Sequence, residues 1–269
     1  MATKKTKPSK SSIIDRITPV HETEKIMSAL IYGRAGTGKT VFACTWPKPL
    51  LLIDIREKGF DSVSHIPGVH LAKVQEWQEI EDIYWHIESG KSIYKSVVLD
   101  QVSQMQDVLM AHICQQNNLD PTDLIPRKIW GEVSGTMKTW VNNYRDLVDK
   151  GMHVCMVAHE RSTDGGDAIE DQIDPSIGPR VMPSVASHLN GAVSVIGNTF
   201  IREHFIGEGK EKVRRVDYSM RIGPHSYYIT KVRRPVGSDT PDVVVNPTFD
   251  KIMAVSRGEA PTKKTLRKK

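Results

Sequence analysis

Ile26-Met27-Ser28-Ala29-Leu30-Ile31-Tyr32-Gly33-Arg34-Ala35-Gly36-Thr37-Gly38-Lys39-Thr40-Val41-Phe42-Ala43 is the stretch on which the fold turns. An apolar run reads as a buried strand, and Val41-Phe42-Ala43 continues as a helix. Between them Gly33 to Thr40 spell G-x-x-x-x-G-K-T, the phosphate-cradling loop of nucleoside triphosphatases. Gly33, Gly36 and Gly38 allow a backbone whose N–H groups, those of Arg34, Ala35 and Thr37 included, turn inward at a helix N-terminus. Lys39 can then reach the β- and γ-phosphates, and the Thr40 hydroxyl can ligate Mg²⁺. The expected ligand is ATP with Mg²⁺.

Outward from the loop the chain alternates strands and helices. Pro47 and Pro49 end the first helix, and Leu50-Leu51-Leu52-Ile53-Asp54 is a near-continuous apolar strand, as burial on both faces requires. Trp77, Ile80, Ile83, Tyr84 and Ile87 recur at helical spacing over 75–89. Ser96-Val97-Val98-Leu99-Asp100 is a strand, followed by helices marked by Val102, Met105, Leu109 and Ile113 and by Val133, Met137, Trp140, Tyr144 and Leu147, the second closed by Gly151. His153 to Ala158 is a further strand. Residues 161–180, rich in Gly, Asp and Pro, read as a long loop. Beyond it 192–196, 200–206, 213–220 and 227–232 read as strands of a meander. The expected fold class is α/β: a mainly parallel, helix-covered sheet with antiparallel strands at its C-terminal side.

Composition bounds the function. With 269 residues, 39% of them hydrophobic, the chain can bury one sizeable core. No stretch is long and apolar enough to cross a membrane, and Ile13-Ile14 is too short for a signal-peptide core, so a cytoplasmic location is expected. Cys44, Cys114 and Cys155 lie far apart without metal-type spacing and read as free thiols. The net charge of +5 is concentrated at the ends: residues 1–16 carry five basic and one acidic side chain, and 257–269 carry six and one. The core between them is net acidic. Both tails lack the apolar content to fold. Lys263, Lys264, Arg267, Lys268 and Lys269 suit salt-sensitive attraction to a polyphosphate, or solubility alone. Residues 1–22 are thus expected to be a basic tail, 23–235 the core, and 236–269 an extension ending in a second basic tail.

Asp100, ending an apolar strand after a phosphate loop, stands where a carboxylate holds Mg²⁺ opposite Thr40. The order of phosphate loop, Leu51-Leu52-Ile53-Asp54 with a nearby glutamate, Val98-Leu99-Asp100, and a strand ending in a polar residue resembles the RecA-like P-loop ATPases. It is similar in particular to the phage-encoded ATP-binding members, some of which act as single-strand annealing proteins in recombination. The resemblance spans about residues 24–235. It implies a glutamate that polarises the attacking water, matched by Glu57, although Glu57 follows Asp54 by three residues where relatives typically have two; Asp54 is the substitute. It implies a γ-phosphate sensor at His159, and a basic pair, Lys231 and Arg233, reaching the triphosphate of a neighbouring subunit. It places DNA-binding loops at 116–131, with Arg127, Lys128 and Trp130, and at 160–180. The implied partners are single-stranded DNA, further copies in a head-to-tail ring or filament, and a phage single-strand-binding protein. The implied activity is ATP hydrolysis, stimulated by DNA and by assembly. A helicase or packaging-type motor would use the same nucleotide residues; an ATP-driven switch on a protein partner would need no DNA.

Overall fold

The structure, a computed structural model, describes residues 17–120, 122, 124–163, 176–207 and 213–260. Expectations placed on both basic tails, including Lys263, Lys264, Arg267, Lys268 and Lys269, and on most of the acidic loop lie outside these residues. Among the described residues ten strands form one sheet. Its centre is β1 (Ser28–Gly33), flanked in parallel by β5 (His153–Thr163) and β7 (Val195–Ile206). β4 (Ser96–Asp100), β2 (Leu50–Ile55) and β3 (Val69–Val74) continue the parallel part beyond β5. On the other side β8 (Val213–Arg221) runs antiparallel to β7, and β10 (Val243–Val245) antiparallel to β8. Two short strands, β6 (Ser176–Pro179) and β9 (Lys231–Val232), pair antiparallel with β5 and β7.

Alternation along the buried strands builds two core layers. Leu30, Tyr32, Leu51, Ile53, Val97, Leu99, Val154 and Met156 face one layer. It is covered by α2 (Trp77–His86), α3 (Val102–Gln116), α4 (Arg127–Arg145) and α5 (Pro183–Ala192). Ala29, Ile31, Leu50, Leu52, Val98, Cys155 and Val157 face the other, covered by α1 (Lys39–Ala43) and α6 (Phe249–Arg257). The three cysteines are free and buried.

Four readings change. Residues 161–180 are not all loop: β5 runs to Thr163 and pairs with β6, Glu160 facing Pro179. The expected break between 196 and 200 is absent, because the polar residues there are buried with partners. Asn198 takes a hydrogen bond from Arg221 at 2.9 Å, and the Thr199 hydroxyl lies 2.7 Å from that of Thr37. β3 and α5 had no sequence signal strong enough to see. β3 is the sheet's edge, its residues mostly exposed, and α5 buries only Val185 and Leu189 fully. Finally, only Lys231–Val232 of 227–232 is strand.

Candidate nucleotide site

The C-terminal ends of β1, β2, β4 and β5 converge on the phosphate loop. Gly36 and Gly38 have φ of 78° and 82°, the left-handed region that glycine enters without strain. Gly33 is required for space: a Cβ there would lie 2.3 Å from the Thr199 hydroxyl oxygen. The buried Lys39 ammonium donates to the carbonyls of Gly33 and Arg34 at 3.1 and 2.9 Å. Burial pulls its pKa down, and the carboxylates of Asp100, Glu57 and Glu160 act the other way.

The Thr40 hydroxyl donates to Asp100 Oδ2 at 2.7 Å. Asp100 is 1% exposed, and its Oδ1 is buried with no hydrogen-bond partner among the described residues. Burial raises its pKa to about 6, against the hydrogen bond from Thr40; Glu57 and Asp54 push it up further. A buried, unpaired carboxylate oxygen beside a hydroxyl is a donor set for a hard cation. Among the described residues no group of three His, Cys, Asp or Glu could hold a metal alone. The set therefore fits Mg²⁺ carried with phosphates, which supply the remaining oxygens. Gly59 keeps this corner open, since a Cβ there would sit 3.1 Å from Thr40 Oγ1 and 3.3 Å from Asp100 Oδ2.

Asp54 is paired in register with Asp100, but its Oδ2 accepts from the backbone N–H of Lys58 at 3.2 Å. It shapes the turn after β2, where Arg56 and Lys58 take left-handed φ of 58° and 57°. That turn absorbs the extra residue and delivers Glu57 to the pocket: Glu57 Oε1 lies 3.3 Å from His159 Nε2. His159 is the register partner of Gly33. Burial holds its imidazole below the ordinary value; Glu57 opposes this, while the Lys39 and Arg180 cations add to it. A cavity of about 730 Å³ joins the loop, Glu57, Gly59 and His159 to Tyr218 and to Asn246, Pro247 and Thr248.

Residues 25–234 match the AAA_24 family, described as an AAA domain. The chain belongs to this AAA-domain family. No curated protein shows significant similarity to it. Among solved structures, a KaiC-like protein from the hyperthermophilic archaeon Pyrococcus horikoshii OT3 is similar over 82% of this chain and 89% of that one. The identity is 14% and the TM-score 0.37, a likeness of outline alone. The AAA-domain chain is a P-loop ATPase with a mainly parallel core and antiparallel C-terminal strands.

Not every expected residue of this AAA-domain protein meets at the loop. Lys231 donates to the Asn190 carbonyl, and Arg233 Nη2 to that of Gly191 at 3.2 Å. Both cations cap the C-terminal end of α5, where unpaired carbonyls and the helix dipole favour positive charge. They lie beside Val195, whose partner Ala29 is four residues before Gly33. That is about 13 Å along the strand from the phosphate loop. Arg127 and Trp130, at the start of α4, line a second cavity of about 700 Å³ with Gln106, Asp107, Arg161 and Arg180; Lys128 is exposed outside its lining. Arg180 pairs with Asp107 at 3.5 Å. The sequence reading missed Gly59, Glu160, Thr199, Tyr218 and Asn246–Thr248, which carry no motif and reach the site only through the fold. Glu160 lies 3.7 Å from Arg34 of the loop.

Proposed function

We propose that this ATPase binds single-stranded DNA and promotes strand annealing or pairing in phage recombination. The observation that supports the DNA reading is the cleft in which Arg127, Arg161 and Arg180 converge around Trp130, itself 45% exposed. Guanidinium groups suit a phosphate backbone and an exposed indole suits a base, a combination tolerant of sequence. The cleft adjoins the triphosphate end of the nucleotide site. Arg180 also lines a small cavity with Gly33, Arg34 and His159, and its backbone N–H donates to the His159 carbonyl at 2.8 Å.

At the nucleotide, Lys39 leaves two loop carbonyls to bind phosphate oxygens, and the loop N–H groups take the rest. Mg²⁺, held by Thr40 and Asp100, would neutralise developing charge on the phosphates. Glu57 orients the attacking water and accepts its proton, while His159, 3.3 Å away, holds the Glu57 carboxylate in place. Head-to-tail assembly, with Lys231 and Arg233 reaching a neighbour's triphosphate, rests on the resemblance alone; within one chain both cations are engaged by α5.

A second reading, an ATP-driven switch on a protein partner, is favoured by the outer part of the β7–β8 ribbon. There Ile201, Phe205, Ile206, Val213 and Val216 are exposed. ATPase rate with and without an unstructured oligonucleotide, over a range of protein concentrations, separates the two. Stimulation by the oligonucleotide, with salt-sensitive binding, supports the DNA reading; no binding at low salt removes it. Strand pairing rather than strand separation distinguishes annealing from a helicase.

A further inference from the structure

The nucleotide reading assigns work to Lys39, Thr40 and Asp100, but leaves a buried hydroxyl against the loop without a role. Thr199 lies in β7, the strand on the side of β1 away from β5, and is 2% exposed. Its hydroxyl is 2.7 Å from that of Thr37 and 3.3 Å from the Tyr32 carbonyl. The Thr37 hydroxyl is in turn 2.8 Å from the Arg34 carbonyl. Each hydroxyl has one proton. The short distances assign them in sequence: Thr199 donates to Thr37, and Thr37 donates to Arg34. The Arg34 carbonyl is also one of the two acceptors that hold Lys39.

We propose that Thr199 is a positioning residue for the phosphate loop, keeping Arg34–Thr37 in the shape that receives a polyphosphate through the Thr199–Thr37–Arg34 hydrogen-bond chain. The contact is intimate enough to exclude any side chain at Gly33, where a Cβ would meet the Thr199 hydroxyl and carbonyl oxygens at 2.3 and 2.5 Å. The Arg34 carbonyl is held twice, by Lys39 and by Thr37. Once Lys39 turns to a phosphate, the hydroxyl chain is its remaining hold among these groups. The demand on Thr199 is therefore greatest in the loaded state. The same root of the ribbon touches the loop again across the hairpin. Tyr218, in β8, would lie 3.1 Å from a Cβ on Gly38. Thr199 and Tyr218 thus leave no room for a side chain at Gly33 and little at Gly38.

The proposal rests on the nucleotide reading, and its test separates the two. Thr199→Val keeps the branched shape without the hydroxyl; Thr199→Ser keeps the hydroxyl. Amide hydrogen exchange of the empty protein should quicken over 34–38 in the valine variant and stay at wild-type rates in the serine variant, with the sheet amides unchanged in both. Titration with Mg²⁺-ATP should show affinity about tenfold weaker for Thr199→Val and restored by serine, the loss of one buried hydrogen bond. Thr37→Val combined with Thr199→Val should be no worse than Thr37→Val alone, because the Thr199 hydroxyl reaches Arg34 only through Thr37. Wild-type loop exchange and affinity in Thr199→Val would overturn the proposal. So would faster exchange spread evenly over the sheet, which marks a core residue only. If the wild-type protein takes no nucleotide, the nucleotide reading fails, while the exchange comparison still decides whether the hydroxyl positions the loop.

Discussion

The two ends of the parallel sheet both carry cations, and they differ in what surrounds them. At the N-terminal end Lys231 and Arg233 meet only carbonyls of the last turn of α5. At the C-terminal end Lys39 lies among three carboxylates, and Asp100 keeps an oxygen without a partner. In the first arrangement each cation is matched by carbonyls of the helix end, which favours positive charge and donors. The second leaves a buried carboxylate oxygen for which phosphates with a cation are fitting partners. An unpartnered buried carboxylate oxygen beside the phosphate loop, rather than the presence of cations, distinguishes the site from the support.

The sharpest break in this contrast is Lys39→Ala. We expect kcat/KM for ATP to fall by about 10²–10³, the loss of one preorganised charged donor, with the fold retained. Isothermal titration with Mg²⁺-ATP measures the binding part, and unchanged affinity would remove the loop as the nucleotide site.

Asp100→Asn sharpens the contrast because it removes the buried charge at that end without a ligand. Raised from the ordinary carboxylate range to about 6, the folded-state pKa lets the native state bind protons more readily than the unfolded chain between about pH 4 and 6. Stability from this group is therefore lost as pH rises through about 6, by about 3 kcal/mol on a shift of this size. The variant should melt higher than wild type at pH 7.5, match it near pH 4, and lose ATP hydrolysis by about 10²-fold. Melting curves at the two pH values test the sign; a variant less stable at pH 7.5 would contradict it.

In the arginine cleft, Arg127→Ala and Trp130→Ala should each weaken oligonucleotide binding by about tenfold, as loss of one stacked base or one phosphate contact predicts. Only the arginine change should flatten the salt dependence, by up to about 0.7 in the log–log slope. Fluorescence anisotropy across a salt series measures both.

The smallest effect is expected at the α5 end. Arg233→Ala should cost about 0.3–1 kcal/mol of stability, as a helix-end cation does, and leave the ATPase rate of the single chain near wild type. Mixing it with Lys39→Ala decides the trans role: activity above the sum of the two variants would move the pair from support to catalysis.

The loop, the strand ending in Asp100 and the parallel order were legible because each rests on a local pattern. Gly-x-x-x-x-Gly-Lys-Thr needs no distant residue to cradle an anion, and a strand buried on both faces must be apolar throughout. Glu57 and His159 were legible as single residues, but their contact at 3.3 Å was not, since it joins two strand ends across the sheet. The continuity of β7 through Asn198 and Thr199 was misread because polar residues break a strand pattern unless burial provides partners. Those partners, Arg221 and Thr37, lie 23 and 162 residues away.

By itself, then, the sequence determined that a triphosphate loop opens a parallel α/β core with a carboxylate facing it, because hydrophobic periodicity and glycine placement act over a few neighbouring residues. Tertiary structure alone decided which distant groups enclose the loop. Thr199 supports it from beneath, Gly59 leaves the cation corner open, Tyr218 and Asn246–Thr248 wall the cavity, and Lys231 and Arg233 turn away to α5. These choices depend on strand order and register, which bring chain segments far apart in sequence within hydrogen-bond reach, and no local pattern records them.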